Sequence, residues 1–258
     1  MMHIYEGGNI FGDGDIAKEY VAGVVKTVQR DMPTGIKAIP DIGSAGFKAS
    51  SGDMDLFIDA GALMQKFQVA DDKAAKQALE QFMQAKGYRT KISGRNVHIE
   101  VPYATPEGQR TVQVDLMVIP DAEMVAPYHQ HGPRGMYDQP GFKGAHNFIL
   151  MNSIGKALGL KFDAFGGKLL RRDDNTVVAR TRDEVAKILL GQAATANDLN
   201  SVASMVAALK NDPDRDSKLA QARQDAAKGI ITMPEAVQEG SANWFRKYSS
   251  LLWRYLKY

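Results

Sequence analysis

Two aspartates two residues apart, Asp53 and Asp55, follow a Gly- and Ser-rich loop and alternate with Met54 and Leu56 in the stretch Asp41–Asp59. Successive side chains of a β-strand point to opposite faces, so the two carboxylates project together while Met54 and Leu56 turn toward a core. Neighbouring carboxylates repel, and a divalent cation is the usual reason to hold them so. A third acid, Asp115, lies inside TVQVDLMVI (Thr111–Ile119). There Val112, Val114, Leu116 and Val118 share one face, and Thr111, Gln113, Asp115 and Met117 share the other. An acid in the middle of such a strand is costly unless something neutralises it. Asp53, Asp55 and Asp115 on adjacent strands are the ligand set expected for Mg²⁺, or Mn²⁺, in phosphoryl transfer, where metal ions clamp the attacking and leaving oxygens.

The loop before the pair supplies what a triphosphate would need. Gly43 allows close backbone approach, and Ser44 adds a hydroxyl and an N–H. Ser50, Ser51 and Gly52 offer the same from the other end, and Lys48 is the cation placed to meet a β- or γ-phosphate.

The elements that must position these groups follow from periodicity. Ile16, Tyr20, Val21, Val24, Val25 and Val28 recur at helical spacing, which predicts a helix over Ile16–Arg30. Ile36–Ile42 reads as a strand with Pro40 near its end, marking an edge or a bulge, and Met54–Ile58 as the strand of the paired acids. Ala60–Phe67 and Lys73–Lys86 read as helices, the second stopped by Gly87. Tyr88–Ser93 and Asn96–Pro102 form a hairpin through Gly94-Arg95. Residues 120–144 read as one long loop rich in Pro, Gly and His. Then come a helix Ala145–Leu158, short strands at Lys161–Phe165, Lys168–Arg172 and Thr176–Ala179, and a helix to Leu190 opened by the capping box Thr181-Arg182-Asp183-Glu184. Beyond Gly191 the pattern is helical: Ala196–Lys210, Arg215–Lys228, a short piece at Pro234–Gln238, and Ser241–Lys257. The expected fold class is α/β (α+β). It comprises a mixed sheet flanked by helices over residues 1–120, a small α/β subdomain with the long loop over 121–190, and an all-helical region over 191–258.

The order of Gly43-Ser44, a short loop, the strand SSGDMDLFID and a later single-aspartate strand QVDLMVI resembles the DNA polymerase β superfamily of nucleotidyltransferases, and the X-family DNA polymerases most of all. GAHNFILMNSIGKALGLKFDAFGGKLL followed by RTRDEVAKILLG is similar to that family's nucleotide-binding subdomain. The likeness covers roughly residues 13–190. It implies a nucleotidyltransferase palm, with Asp53, Asp55 and Asp115 catalytic and metal-ligating. It further implies nucleotide binding by Gly43, Ser44, Lys48, Ser51, Gly52 and Asn147, the last on a helix facing the incoming base. The implied reaction is transfer of a nucleoside monophosphate from an NTP or dNTP to the 3′-hydroxyl of DNA or RNA, with release of pyrophosphate. Transfer to a protein or small-molecule acceptor is the alternative. The chain departs from the family in its slightly shorter loop and in Ala45-Gly46-Phe47, which stands where arginines are usual. It also has no room for the N-terminal lyase and DNA-binding domains of the repair polymerases.

Composition narrows the partners. A formal net charge of +2 over 258 residues leaves nucleic-acid contact to local basic patches. One such patch is residues 141–190, with nine Lys/Arg against five Asp/Glu. The absence of cysteine excludes disulfides, thiolate nucleophiles and cysteine–zinc sites. The opening residues lack a signal-peptide pattern and no apolar run reaches bilayer length, so a soluble, cytoplasmic protein without membrane association is expected. His129 and His131 lack the further ligands of a zinc site and read as loop or substrate contacts. Phe142 is a candidate for sugar selection. Trp244, Tyr248, Leu251, Leu252 and Tyr255 form a stripe at helical spacing, expected to pack onto preceding helices.

Overall fold

Among the described residues the first regular element is a two-residue strand, Ile16–Ala17 (β1), followed by the helix Lys18–Asp31 (α1). The structure, a computed structural model, describes residues 10–11, 14–130 and 144–227, the side chains of 144–146 and 226–227 excepted. These fall into two units, one ending at residue 130 and the other starting at 144.

In the first unit, Ala38–Ile42 (β2), Ser50–Ser51 (β3) and Asp53–Asp59 (β4) lead to the helices Ala60–Phe67 (α2) and Asp72–Ala85 (α3). Strands Arg89–Ser93 (β5), Asn96–Thr105 (β6) and Gly108–Ile119 (β7) follow, then a short helix Ala122–Val125 (α4) and a 3₁₀ turn at Ala126–Tyr128. Five strands form one mixed sheet in the order β2-β4-β7-β6-β5, with β4 and β7 parallel and the other pairs antiparallel. β1 pairs with β3 apart from it.

Local chemistry explains the boundaries. Asp59 and Asp71 cap α2 and α3, accepting from Ala62 N and Ala74 N, each at 2.8 Å. Gly87, at φ 92°, turns the chain out of α3. One face of the sheet is apolar, presenting Met54, Leu56, Ile58, Val97, Ile99, Val101, Val112, Val114 and Leu116. This face packs with Val24 and Val28 of α1, Leu63 of α2, and Leu79 and Met83 of α3. Each large aliphatic side chain so buried contributes about 1.5–3 kcal/mol. The opposite face carries the acids.

Three expectations need correction in this unit. Ile16 does not begin the helix; as part of β1 it pairs with Ser51 of β3, and its side chain is fully buried in the hydrophobic core. The strand after Gly94-Arg95 does not stop at Pro102. Pro102 pairs with Thr111, and β6 runs to Thr105 before a second tight hairpin returns as β7. Residues 121–130 are not loop. Asp121 caps α4, and Gln130 bridges to Ile42 and donates to Pro40 O at 3.2 Å, which covers the open edge of β2. Pro40 lies, as expected, where the β2–β4 register shifts, and Asp41 beside it has φ 66°.

The second unit holds the helix Gly144–Ala157 (α5), strands Leu160–Asp163 (β8), Lys168–Arg171 (β9) and Val177–Ala179 (β10) in an antiparallel sheet ordered β10-β9-β8, and the helix Arg182–Leu190 (α6). The Thr181 capping box is present as read. The helix expected over Ala196–Lys210 is broken into a 3₁₀ turn at Ala196–Leu199, the helix Val202–Ala208 (α7) and a second 3₁₀ turn at Leu209–Asn211. Ser201 causes the break, because its side chain and that of Ser204 form a new capping box. Arg215–Ala227 (α8) packs on α5 through Asp225, which accepts from Ser153 Oγ at 3.0 Å and Lys156 Nζ at 2.9 Å. A buried pair, Lys218 Nζ to Asp212 Oδ2 at 2.8 Å, fixes the start of α8.

A mixed five-stranded sheet and eight α-helices among the described residues make this an α+β protein. No described helix is long and apolar enough to cross a membrane. The helices expected at Pro234–Gln238 and Ser241–Lys257, the aromatic stripe on the latter, His131 and Phe142 lie outside the described residues.

α1 is tied to the start of β5 by Tyr88, whose hydroxyl donates to Asp31 Oδ2 at 2.6 Å while Arg30 grips the same carboxylate. The Arg30 bond first, and then the Tyr88 bond, lower the Asp31 carboxyl from 3.8 to about 2. The carboxylate form is therefore favoured by folding. Its contribution is complete above pH 3.8 and is lost as pH falls through about 2. Asp31→Asn is expected to destabilise the chain by about 1 kcal/mol at neutral pH. Denaturant titrations at a series of pH values should show that gap closing toward pH 2.

Candidate functional site

Asp53 and Asp55 share a face of β4, and the parallel pairing with β7 sets Asp53 opposite Gln113 and Asp55 opposite Asp115. Paired residues of neighbouring strands point to the same face, so all three acids lie on the side of the sheet away from the α1–α3 core. The backbone thus brings the three sequence-predicted carboxylates onto one surface. Among the described residues, however, no three His, Asp or Glu side chains are gathered as a group that could hold a metal ion. Asp53 and Asp55 are partly exposed, whereas Asp115 is only 2% exposed.

The structure shows what answers the buried charge of Asp115. His98, its register partner on β6, places Nδ1 2.7 Å from Oδ1. Gln113 Nε2 donates to the same oxygen at 2.8 Å, and Asn96 Nδ2 donates to Oδ2 at 3.1 Å. A carboxylate oxygen only accepts when these amides donate to it, so His98 carries its proton on Nδ1. Gln113 is held in turn: its Oε1 accepts from the backbone N–H of Ile10 at 2.6 Å. Charge-assisted bonds of this kind are short and about twice as strong as neutral ones, which is how a strand interior keeps an acid.

His98 and Asn96 escaped the sequence reading because they become partners of Asp115 only through the β6–β7 register. The available signal was the alternation Asn96, His98, Glu100 against Val97, Ile99, Val101. It gives a polar face to a strand whose neighbour already has one.

The loop before β4 is compact. Phe47 N and Lys48 N both donate to Ser44 O, and Ser44 Oγ lies 3.2 Å from Ser51 Oγ, joining the two ends of the predicted phosphate loop. Lys48 is exposed, and Ser51 is buried in the β1–β3 pair. Gly52 follows it, exposed, just ahead of Asp53. Gly43 sits directly on the site: at φ 71°, a Cβ built there would collide with Asp55 Oδ2. Only glycine lets the Gly43-Ser44 turn approach the second carboxylate so closely.

The far end of the same face is closed. Phe57, fully buried, meets His129 edge-on with ring centroids 5.0 Å apart. Asp59 there is a structural acid, accepting from Ala62 N and from Ala122 N. Apart from Asp59, the acids of this face thus lie in the half holding Asp53, Asp55 and Asp115. Asn147 belongs to the second unit. It is fully buried on α5, and its Nδ2 donates to Asn200 O at 3.2 Å.

Gly43→Ala and Gly35→Ala separate backbone strain from contact with the site. Gly35, at φ 88°, has nothing within 4 Å of a built Cβ. Both substitutions should cost about 1–2 kcal/mol in urea denaturation. Only Gly43→Ala should show Asp55 swung to another rotamer in a crystal structure of the variant. No family model matches this chain, and no curated protein matches it.

Proposed function

We propose that the chain is a metal-dependent nucleotidyltransferase of the DNA polymerase β-like type, with the first unit as its palm. The observation that carries this reading is the placement of Asp55 opposite Asp115 on parallel strands, with the Gly43-Ser44 turn packed onto Asp55. Three carboxylates are the hard oxygen donors that Mg²⁺ or Mn²⁺ takes, and the cradle at Gly43 leaves no room for a larger residue against the second of them. Asp53, Asp55 and Asp115 would hold the ion. When bound, it would supply charge stabilisation to the transferring phosphoryl group.

The chain's own groups divide the remaining work. Backbone N–H groups at Gly43-Ser44, the Ser44 and Ser51 hydroxyls, Gly52 and the exposed Lys48 belong to one loop and would receive a triphosphate. Asp115, fixed by three side-chain donors, would help activate the attacking 3′-hydroxyl of a DNA or RNA end by taking its proton. A bond forms between that oxygen and the α-phosphorus, the bond to the bridging oxygen breaks, and pyrophosphate leaves.

Incubating the full chain with radiolabelled NTPs or dNTPs, Mg²⁺ and a primer tests the reading. Label should move to the primer's 3′ end, chelation with EDTA should abolish transfer, and Asp53→Ala or Asp115→Ala should lower it by at least about a hundredfold with circular dichroism unchanged. Full activity in either variant would overturn the site. Label on protein or on a small acceptor in place of the primer would move the reading to the alternative acceptor class.

A further inference from the structure

The three residues that bond to Asp115 do not share its two oxygens evenly. Among the described residues, Oδ1 takes two donors, His98 Nδ1 and Gln113 Nε2, while Oδ2 takes only Asn96 Nδ2. A carboxylate oxygen accommodates about two acceptor contacts, so Oδ2 is the oxygen with a place left. We propose that His98 is a positioning residue for the candidate metal centre, holding the Asp115 carboxylate by Oδ1 so that Oδ2 is kept for a divalent cation shared with Asp53 and Asp55. This inference rests on the metal-dependent reading of the site.

A packing role does not account for a histidine here. The ring is 2% exposed in a strand flanked by Val97 and Ile99, and its Nε2 is buried with no hydrogen-bond partner among the described residues. A buried polar atom left in that state opposes folding. Leucine would fill the same space without that penalty, so what the imidazole adds is the donor on Nδ1. The donor is rigidly aimed: His98 is the direct register partner of Asp115, and β6 is itself held between β5 and β7.

The test is Mn²⁺ binding alone, followed by electron paramagnetic resonance of the free ion, on the full-length chain and its variants. Replacing a residue that orients a metal ligand costs about 10–100-fold in affinity. His98→Leu should weaken Mn²⁺ binding by that factor. His98→Asn, which keeps an N–H donor at the reach of Nδ1, should recover most of it, and His98→Gln, whose donor lies one bond further out, should not. A purely structural role would lower melting temperature in all three variants without separating Asn from Gln in affinity.

If His98→Leu fails to fold, the Asn and Gln variants decide: equal affinities overturn the proposal and unequal ones in the stated order support it. Wild-type-like binding by His98→Leu, with binding lost in Asp115→Ala, overturns the role of His98 while leaving the metal reading intact. No Mn²⁺ bound by the wild type beyond that bound by Asp115→Ala overturns both.

Discussion

A carboxylate placed in the middle strand of a sheet has to be met by donors. The way this chain meets that demand governs much of the first unit. Asp115 is almost wholly shielded from water, and leaving it uncompensated would cost more than any single apolar contact returns. The donors come from three positions on two strands, Asn96, His98 and Gln113. All three depend on β6 and β7 keeping one register over their whole length. A slip of one residue would set Val97 or Ile99 against the acid and expose the apolar face as well. The charge and the hydrophobic pattern therefore select the same pairing.

The two faces of the sheet are built on different principles. The helix-covered face is a continuous apolar layer from β2 through β5, and substitutions there act through packing. The other face is divided along the strands. Its carboxyl-terminal end is sealed by α4 and the turn that carries His129, and its amino-terminal end keeps a cluster of polar groups under the Gly43-Ser44 turn. Concentrating the polar groups at one end limits the number of buried charges that need partners.

How much of this the sequence discloses varies with the kind of interaction. Strand alternation put Asp53 with Asp55, and Asp115 with Gln113, because those relations lie within one segment. The helices Ala60–Phe67 and Arg182–Leu190 were legible from caps and periodicity, since their end signals are local. Ile16 departs from its helical phase because an apolar residue is equally at home in a two-residue strand, and its partner Ser51 is far along the chain. Ser201 broke a helix that periodicity alone would continue. His98 was out of reach for the same reason as Ile16, its role being created by a cross-strand register. Asn147 shows the converse: its residue type invited a contact role, whereas burial on α5 and the bond to Asn200 depend on tertiary packing that no spacing reveals.

The short contact between Ile10 N–H and Gln113 Oε1 has a consequence for the direction of the hydrogen-bond chain. A primary amide is nearly symmetric in shape but opposite in polarity at its two ends. With its oxygen claimed by Ile10, Gln113 can present only its nitrogen to Asp115. Were that backbone donor withdrawn, the amide would be at liberty to turn over and set one oxygen against another, changing attraction into repulsion without moving a single Cα atom. The sign of the field at Asp115 is thus written partly by a main-chain group more than a hundred residues away.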